Sequence, residues 1–466
     1  MSTIEHAGEA RWAALLSGRN AIYSLILAGG VMLHALNIYI VVTILPSVVG
    51  EIGGLAYYAW STTLFVVASI LAAALSSRVL ERVGAGGAYA GATVLFLAGA
   101  LICATAPAFP VLLAGRFVQG LGGGLLSALA YAVIRLVYPE TLWSRAISLI
   151  SAMWGVSTLV GPAVGGVFAE LQMWRMAFWS VVPLAVVLGA AAIIMLPRTS
   201  RGEAKPLPLA QLSLMTVSVV AVSMGGITAN PVWNAAGLVV AVLFAALLAR
   251  VERRASARLL PKGALDGAGK LVALYATIAL LVIGMQTDIF IPYFLQVLHG
   301  LSPLIAGYLA ALIAMGWTLG SILSAGRSGD TALRAIRIGP VLVLVGLALL
   351  LGLLPVAGGF GWLLVPISAG LLLVGLGIGV AWPHLVTSVF KETPAAEQGL
   401  AAGSITTVQL YATAFGAAAA GMVANLGGLS TPGGAAGAAG AAFLLFAAFL
   451  TAPLLGLIAT QRLTRR

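Results

Sequence analysis

Residues 145–169 read RAISLISAMWGVSTLVGPAVGGVFA, with a single charge, Arg145, at the very start. The residues after it carry no ionisable side chain, and an α-helix needs about 20 predominantly apolar residues to cross a hydrocarbon layer about 30 Å thick. Such a layer offers no water to backbone amides, so the segment must satisfy them within itself, as a helix. Pro162 removes one backbone donor and bends that helix. Gly161, Gly165 and Gly166 beside it leave a groove that a neighbouring helix can enter.

The same pattern recurs along the chain. Apolar runs of spanning length lie at 22–47, 57–77, 86–106, 109–137, 145–169, 176–196, 209–229, 232–250, 271–297, 303–325, 335–356, 361–385, 399–425 and 436–460. The reading is an all-α membrane protein of fourteen spans. The seventh and eighth runs are the shortest and meet in a tight turn at Asn230-Pro231, so twelve spans with one misplaced hairpin is the alternative. The Gly- and Ala-rich stretch 427–442 reads as a flexible external loop feeding the last span.

Composition agrees. Of 466 residues, 61% are hydrophobic and 8% charged, with a mean hydropathy of +1.09. Soluble domains carry about 25% charged residues, so lipid has to cover what charge does not. The formal net charge is +11, but the basic residues form no continuous block or aromatic-interleaved patch, which argues against nucleic acid as a partner. Cys103, the one cysteine, cannot form an intrachain disulfide. The first residues, MSTIEHAGEARW, lack a basic n-region and a small-residue cleavage site, and the first run is too long for a signal peptide, so it is expected to be a retained span.

Basic residues orient the spans, because cytoplasmic loops hold an excess of Lys and Arg. With a cytoplasmic N-terminus, the inner loops hold Arg78, Arg82, Arg145, Arg198, Arg201, Lys205, Arg253, Arg254, Arg258, Lys262, Lys270, Arg327, Arg334 and Lys391. The tails add Arg11, Arg19, Arg462, Arg465 and Arg466, and Arg135, Arg250 and Arg337 sit at span ends on the same side. Of the 24 Lys and Arg, Arg175 alone falls outside and Arg116 falls within a span. Both termini are therefore expected in the cytoplasm.

Three stretches resemble the major facilitator superfamily. Residues 154–166, WGVSTLVGPAVGG, resemble the antiporter motif of its drug exporters, with Gly155, Gly161, Pro162, Gly165 and Gly166 in the matching places. Residues 112–124, LLAGRFVQGLGGG, match the family's fourth-span pattern through Arg116, Gln119 and Gly120. The loop SRVLERVGAGG at 77–87 matches the superfamily's cytoplasmic motif in part. Glu81 stands where an aspartate is usual, Arg82 and Gly84 fit, and Ser77, Gly86 and Gly87 depart from the pattern. Further likeness runs through Trp174-Arg175, residues 289–307, 375–384 and 399–409. With two extra spans between its halves, the chain is most similar to the fourteen-span drug:proton antiporter branch. That resemblance implies a six-helix bundle over 1–196, a linker with two additional spans over 197–270, and a second six-helix bundle over 271–466. It also implies alternating access around a site at the midplane, where the fourth, fifth and ninth spans face one crevice.

Proton coupling needs a titratable group exposed to each side in turn. The family commonly places an aspartate in the first span; here LNIYIVVTILP, 36–46, has Asn37 at that place, which does not titrate. Asp288 in the ninth span is the one carboxylate well inside the membrane and is the leading proton-carrier candidate, with a structural, paired aspartate as the other reading. His34, one turn before Asn37, is a second candidate; a lone histidine also serves as an ordinary hydrogen-bonded residue. Arg116 reads either as a fixed positive element holding the first bundle together or as the partner of an anionic group. His384 sits at the inner end of the twelfth span. Asn37, Trp60, Trp154, Tyr293, Gln296, Trp382 and Gln409 are candidates for substrate contact, since apolar pockets with a few polar groups suit small molecules; aromatics in spans also act as interface anchors.

The expected function is proton-coupled efflux of hydrophobic or amphiphilic compounds across a bacterial inner membrane, by a monomer without cofactor or metal. Uptake or exchange of a specific metabolite or vitamin by the same fold, without protons, is the alternative. An embedded enzyme would want clustered His, Asp or Glu or a nucleotide loop, and a channel rings of charge or a filter sequence; the sequence holds neither.

Overall fold

A computed structural model describes residues 12–198, 206–267, 269–358 and 361–463. The N-terminal segment 1–11 and the basic residues Arg11, Arg201, Lys205, Arg465 and Arg466, used above for orientation, lie outside the described residues. Every regular element among those described is helical. The first group comprises α1 (Gly18–Ile52), α2 (Trp60–Ala104), α3 (Phe109–Val137), α4 (Glu140–Glu170), a short helix Trp174–Trp179 and α5 (Val182–Met195). A hairpin of α6 (Leu209–Gly225) and α7 (Pro231–Arg254) follows. The last group comprises α8 (Lys270–Met285), α9 (Ile291–His299), α10 (Pro303–Ser324), α11 (Gly329–Leu353), α12 (Leu364–Glu392), α13 (Gln398–Leu426), α14 (Gly434–Phe449) and α15 (Thr451–Gln461).

Among the described residues, 12 helical stretches are long and apolar enough to cross a membrane, against the fourteen runs that the sequence predicts. The difference arises at two places. Runs 57–77 and 86–106 fall in one stretch, Leu55–Ala104, and run 209–229 forms the 17-residue α6. Stretch 427–442 also departs from expectation: it is helical from Gly434 onward, because alanine is the best helix former and overrides the loop character of its glycines.

The stretch Trp60–Ala104 is interrupted at Gly84, whose φ of 71° and ψ of 175° are not helical. That positive φ suits glycine alone among ordinary residues. The turn is pinned to the end of α5, where the Gly86 amide donates to the Pro197 carbonyl at 3.1 Å. A Cβ on Gly84 would run into the Arg198 carbonyl. Glu81 and Arg82 of the partial loop motif flank this turn, and neither forms an ion pair among the described residues.

Pro46, Pro162, Pro340 and Pro383 lie inside continuous helices, and one break accompanies Pro292. Between α8 and α9 the chain tightens into a 3₁₀ turn, Gln286–Phe290, with Pro292 in the first turn of α9. The predicted span 271–297 is therefore discontinuous at its centre, and Asp288 lies in the break.

The two groups meet at the end of the bundle opposite the basic loops. A Cβ on Gly166, in the last turn of α4, would lie 2.5 Å from the Cα of Leu304. The Leu304 amide points to Glu170 at 3.4 Å. Asn425 of α13 donates to the Ala56 carbonyl at 2.8 Å and also to Gly226 after α6 at 2.8 Å. The Tyr58 ring stacks on Phe290 at 5.0 Å. At the same end, Arg175 pairs with Glu51, and Trp174 Nε1 donates to the other carboxylate oxygen at 2.6 Å. Arg175, alone on its side in the sequence, thus has its charge met locally.

Gly84→Ala is expected to destabilise the bundle by about 1–3 kcal/mol, from strain and overpacking together. Thermal unfolding of the purified variant in detergent measures this, and a midpoint equal to wild type would show that the turn tolerates a side chain.

Candidate functional site

A buried polar cluster inside the first group forms where α1, α2, α3 and α4 converge. Arg116 of α3 is 2% exposed. Its Nη1 donates to the Asn37 side-chain oxygen and, at 2.7 Å, to that of Gln119. Its Nε reaches the Ser61 carbonyl at 3.4 Å. The guanidinium carbon lies 4.1 Å from the centroid of the Phe65 ring. A charge at mid-span costs about 2.5–3.5 kcal/mol on insertion scales. Hydrogen bonds to charged groups return about 1.5–3 kcal/mol each, and a desolvated cation on a ring about 2 kcal/mol. Two short bonds and the ring are therefore enough to hold it.

Why these helices come so close is written in their spacing. Arg116, Gly120 and Gly124 lie four residues apart on α3 and face Ser61, Phe65 and Ser69, four apart on α2. Residues four apart share a helix face. A Cβ on Gly124 would lie 2.5 Å from the Ser69 Cα, and Ser69 Oγ donates to the Gly120 carbonyl at 3.1 Å. Gly123 makes room on the neighbouring face, where a Cβ would lie 2.6 Å from His34 Nδ1.

His34 is 5% exposed and stacks on Phe65 at 5.3 Å between centroids. Trp154 of α4 meets it edge-on at 5.9 Å and is itself 37% exposed. Buried polar atoms without a partner gather here: Asn37 Nδ2, Gln119 Nε2, Ser61 Oγ and His34 Nδ1.

Asp288 stands on the other group. Its Oδ1 is buried without a hydrogen-bond partner. It lies within electrostatic range of Tyr39 of α1, which packs against Gly161 of α4. Helix α1 thus carries His34 and Asn37 towards Arg116, and Tyr39 towards Asp288.

The other sequence-predicted residues disperse. Gly155 is open to its surroundings, whereas a Cβ on Gly161 would meet Tyr39 and one on Gly165 the Ile40 carbonyl at 2.9 Å. Those glycines set the α1–α4 approach around Pro162. Tyr293 packs against Tyr58 at 5.6 Å, and Gln296, two turns beyond Asp288, has an unpaired buried Nε2. Trp60 lines a small cleft with Ala56, Ser223, Gly226 and Met422. Trp382 pairs with Trp317 at 5.0 Å, and His384 Nε2 is bound to the Ser324 carbonyl at 3.1 Å. Gln409 is half-buried on α13. Sequence reasoning missed Ser61, Phe65 and Tyr39. The four-residue spacing of Ser61, Phe65 and Ser69 in an otherwise apolar run was the available signal for the first two.

A sequence profile of the Major Facilitator Superfamily matches residues 27–417. A Mycobacterium tuberculosis protein named a probable multidrug-efflux transporter is 37% identical over 471 aligned residues, which cover 98% of this chain and 97% of that one. A multidrug transporter protein of Bacillus subtilis is 24% identical, covering 88% and 76%. Among solved structures, a nucleoside transporter superimposes with a TM-score of 0.67 at 12% identity, over 95% of this chain and 100% of that chain. A D-xylose–proton symporter does so with a TM-score of 0.63 at 15% identity, over 96% and 98%. The helical stretches, the polar centre between them and the match across most of the sequence agree: the chain is a multi-pass membrane protein of the major facilitator superfamily.

Proposed function

We propose that the protein exports amphiphilic small molecules from a bacterial cell by alternating access, in exchange for protons carried on Asp288. The observation that carries the proton step is the position of Asp288. Its carboxylate lies in a helix break at the centre of a span, has a buried oxygen without a partner, and approaches Tyr39 across the two helix groups. A carboxyl so placed gains by binding a proton and loses it when the surroundings rearrange. Export is supported by the likeness to the mycobacterial protein over nearly the full length. His34 is a second proton candidate, while Trp154, Tyr293 and Gln296 are candidates for substrate contact.

The same reading takes residues 1–196 and 271–466 as two six-helix halves that rock about the site, with 197–270 between them. It takes fourteen crossings. A straight helix of 45 residues would reach about 68 Å at about 1.5 Å per residue, more than twice the hydrocarbon thickness, so α2 is read as two crossings turned at Gly84. Helix α6, of 17 residues, sits at the lower limit for a crossing, about 17 residues. The excess of basic residues on one side supports a cytoplasmic position for both termini and, on this reading, an outer-side seam between the halves, as in an inward-facing state.

Asn37, which cannot titrate, keeps in view uptake or exchange of one metabolite without protons. Asp288→Asn is expected to remove the dependence of transport on the pH gradient while the protein stays folded. Flux in proteoliposomes over a pH series reads this, and unchanged coupling would take Asp288 out of the mechanism. If wild-type flux is the same after the gradient is collapsed, antiport itself fails. For topology, Thr228→Cys in a Cys103→Ser background is expected to react with an impermeant maleimide from outside intact cells; labelling from the cytoplasmic side alone would refute a membrane-crossing α6–α7 hairpin.

A further inference from the structure

We propose that the cluster around Arg116 is a binding site for the negatively charged head of the substrate, so that the transported amphiphiles are organic anions, above all carboxylates. This rests on the transport reading above and narrows its substrate class.

Arg116 forms no ion pair among the described residues, and all its hydrogen-bond acceptors are neutral: Asn37, Gln119 and the Ser61 carbonyl. A guanidinium offers five N–H donors and no acceptor. Both amides must therefore turn their oxygens towards it, which fixes their nitrogens facing away. The atoms left over are Asn37 Nδ2 and Gln119 Nε2, unpaired and buried, with the Ser61 hydroxyl beside them. Nη2 of Arg116 takes part in none of these three bonds. The centre thus presents an uncancelled positive charge ringed by free N–H and O–H groups. An anion can accept from all of them, with the paired geometry that guanidinium and carboxylate share. A cation would meet a like charge and two amide N–H groups turned towards it, with the Ser61 hydroxyl and His34 Nδ1 as the available acceptors.

The approach is built for an apolar body. From Trp154, 37% exposed, the aromatic faces run to His34 and then to Phe65, on which Arg116 rests. An apolar body can rest against the exposed Trp154, and its acid group reaches the guanidinium once the buried His34 and Phe65 rings give way.

Pyrenebutanoate, its methyl ester and pyrenebutylamine share one body and differ in charge. Binding to the purified full-length protein is read by energy transfer from tryptophan, and movement by pyrene release from proteoliposomes. The carboxylate is expected to bind about ten-fold or more tightly than the ester, as befits a charge-assisted hydrogen bond, and the amine more weakly still. Asn37→Asp, which gives Arg116 an internal counter-charge, is expected to bring acid and ester within about two-fold or to favour the amine. Arg116→Gln is expected to abolish the preference, and Asn37→Asp decides if that variant does not fold. Equal binding of the three probes by wild type, or an undiminished preference in Asn37→Asp, would overturn the anion site. A carboxylate that binds with preference but is never moved supports the site and defeats the transport reading. Equal binding and equal movement of all three does the reverse.

Discussion

A guanidinium inside a membrane bundle has to be held by something, and here it is held by dipoles and a ring instead of a carboxylate. Arg116 draws Asn37 from α1, Ser61 and Phe65 from α2 and its own neighbour Gln119 into one knot. Helices α1, α2 and α3 are tied to one another through that charge. Neutral partners satisfy hydrogen bonding but leave the charge itself standing. On the proposal made above, a structural role and a recognition role coincide in one side chain, the two alternatives that the sequence leaves open.

Small residues make the knot possible. The Gly120 and Gly124 positions let the α3 backbone lie almost against α2, and Gly123 gives His34 its place. The same economy operates between α1 and α4 through Gly161 and Gly165, and between the helix groups through Gly166. In lipid, where apolar surface gains nothing from leaving water, close backbone approach is the main source of packing energy. Apart from Gly155, the motif glycines are therefore structural in their contacts, fixing where Tyr39 and Ile40 sit against α4 and where α4 meets α10.

The fold was legible because hydrophobic length and basic loops are one-dimensional signals. Residues 145–169 announce a membrane helix without any partner being known. Position along a helix was less legible. Gly84 stood out through the partial loop motif, but that it alone turns the chain comes from the Arg198 carbonyl it meets, far away in sequence. The 3₁₀ break at Asp288 had a visible cue in Pro292, but a proline four residues on does not say which upstream residue leaves the helix. At the site, Arg116, Gln119 and Asn37 were singled out one by one; their mutual bonding depends on helix rotation, which spacing alone does not fix. Phe65 was missed because a phenylalanine in a membrane run looks like any other apolar residue until a charge is placed on its face.

The seam between Gly166 and Leu304, Asn425 and Ala56, and Tyr58 and Phe290 is made of van der Waals contact, amide dipoles and stacked rings. None of the four ion pairs between described residues joins α1–α5 to α8–α15 across it. Parting the seam therefore separates no opposite charges. Dissolved electrolyte, which weakens exposed charge contacts by screening, finds only the Glu170 carboxylate at the start of α10 to act on, so the ease of unzipping is set chiefly by shape and lipid pressure and changes little between dilute and saline surroundings.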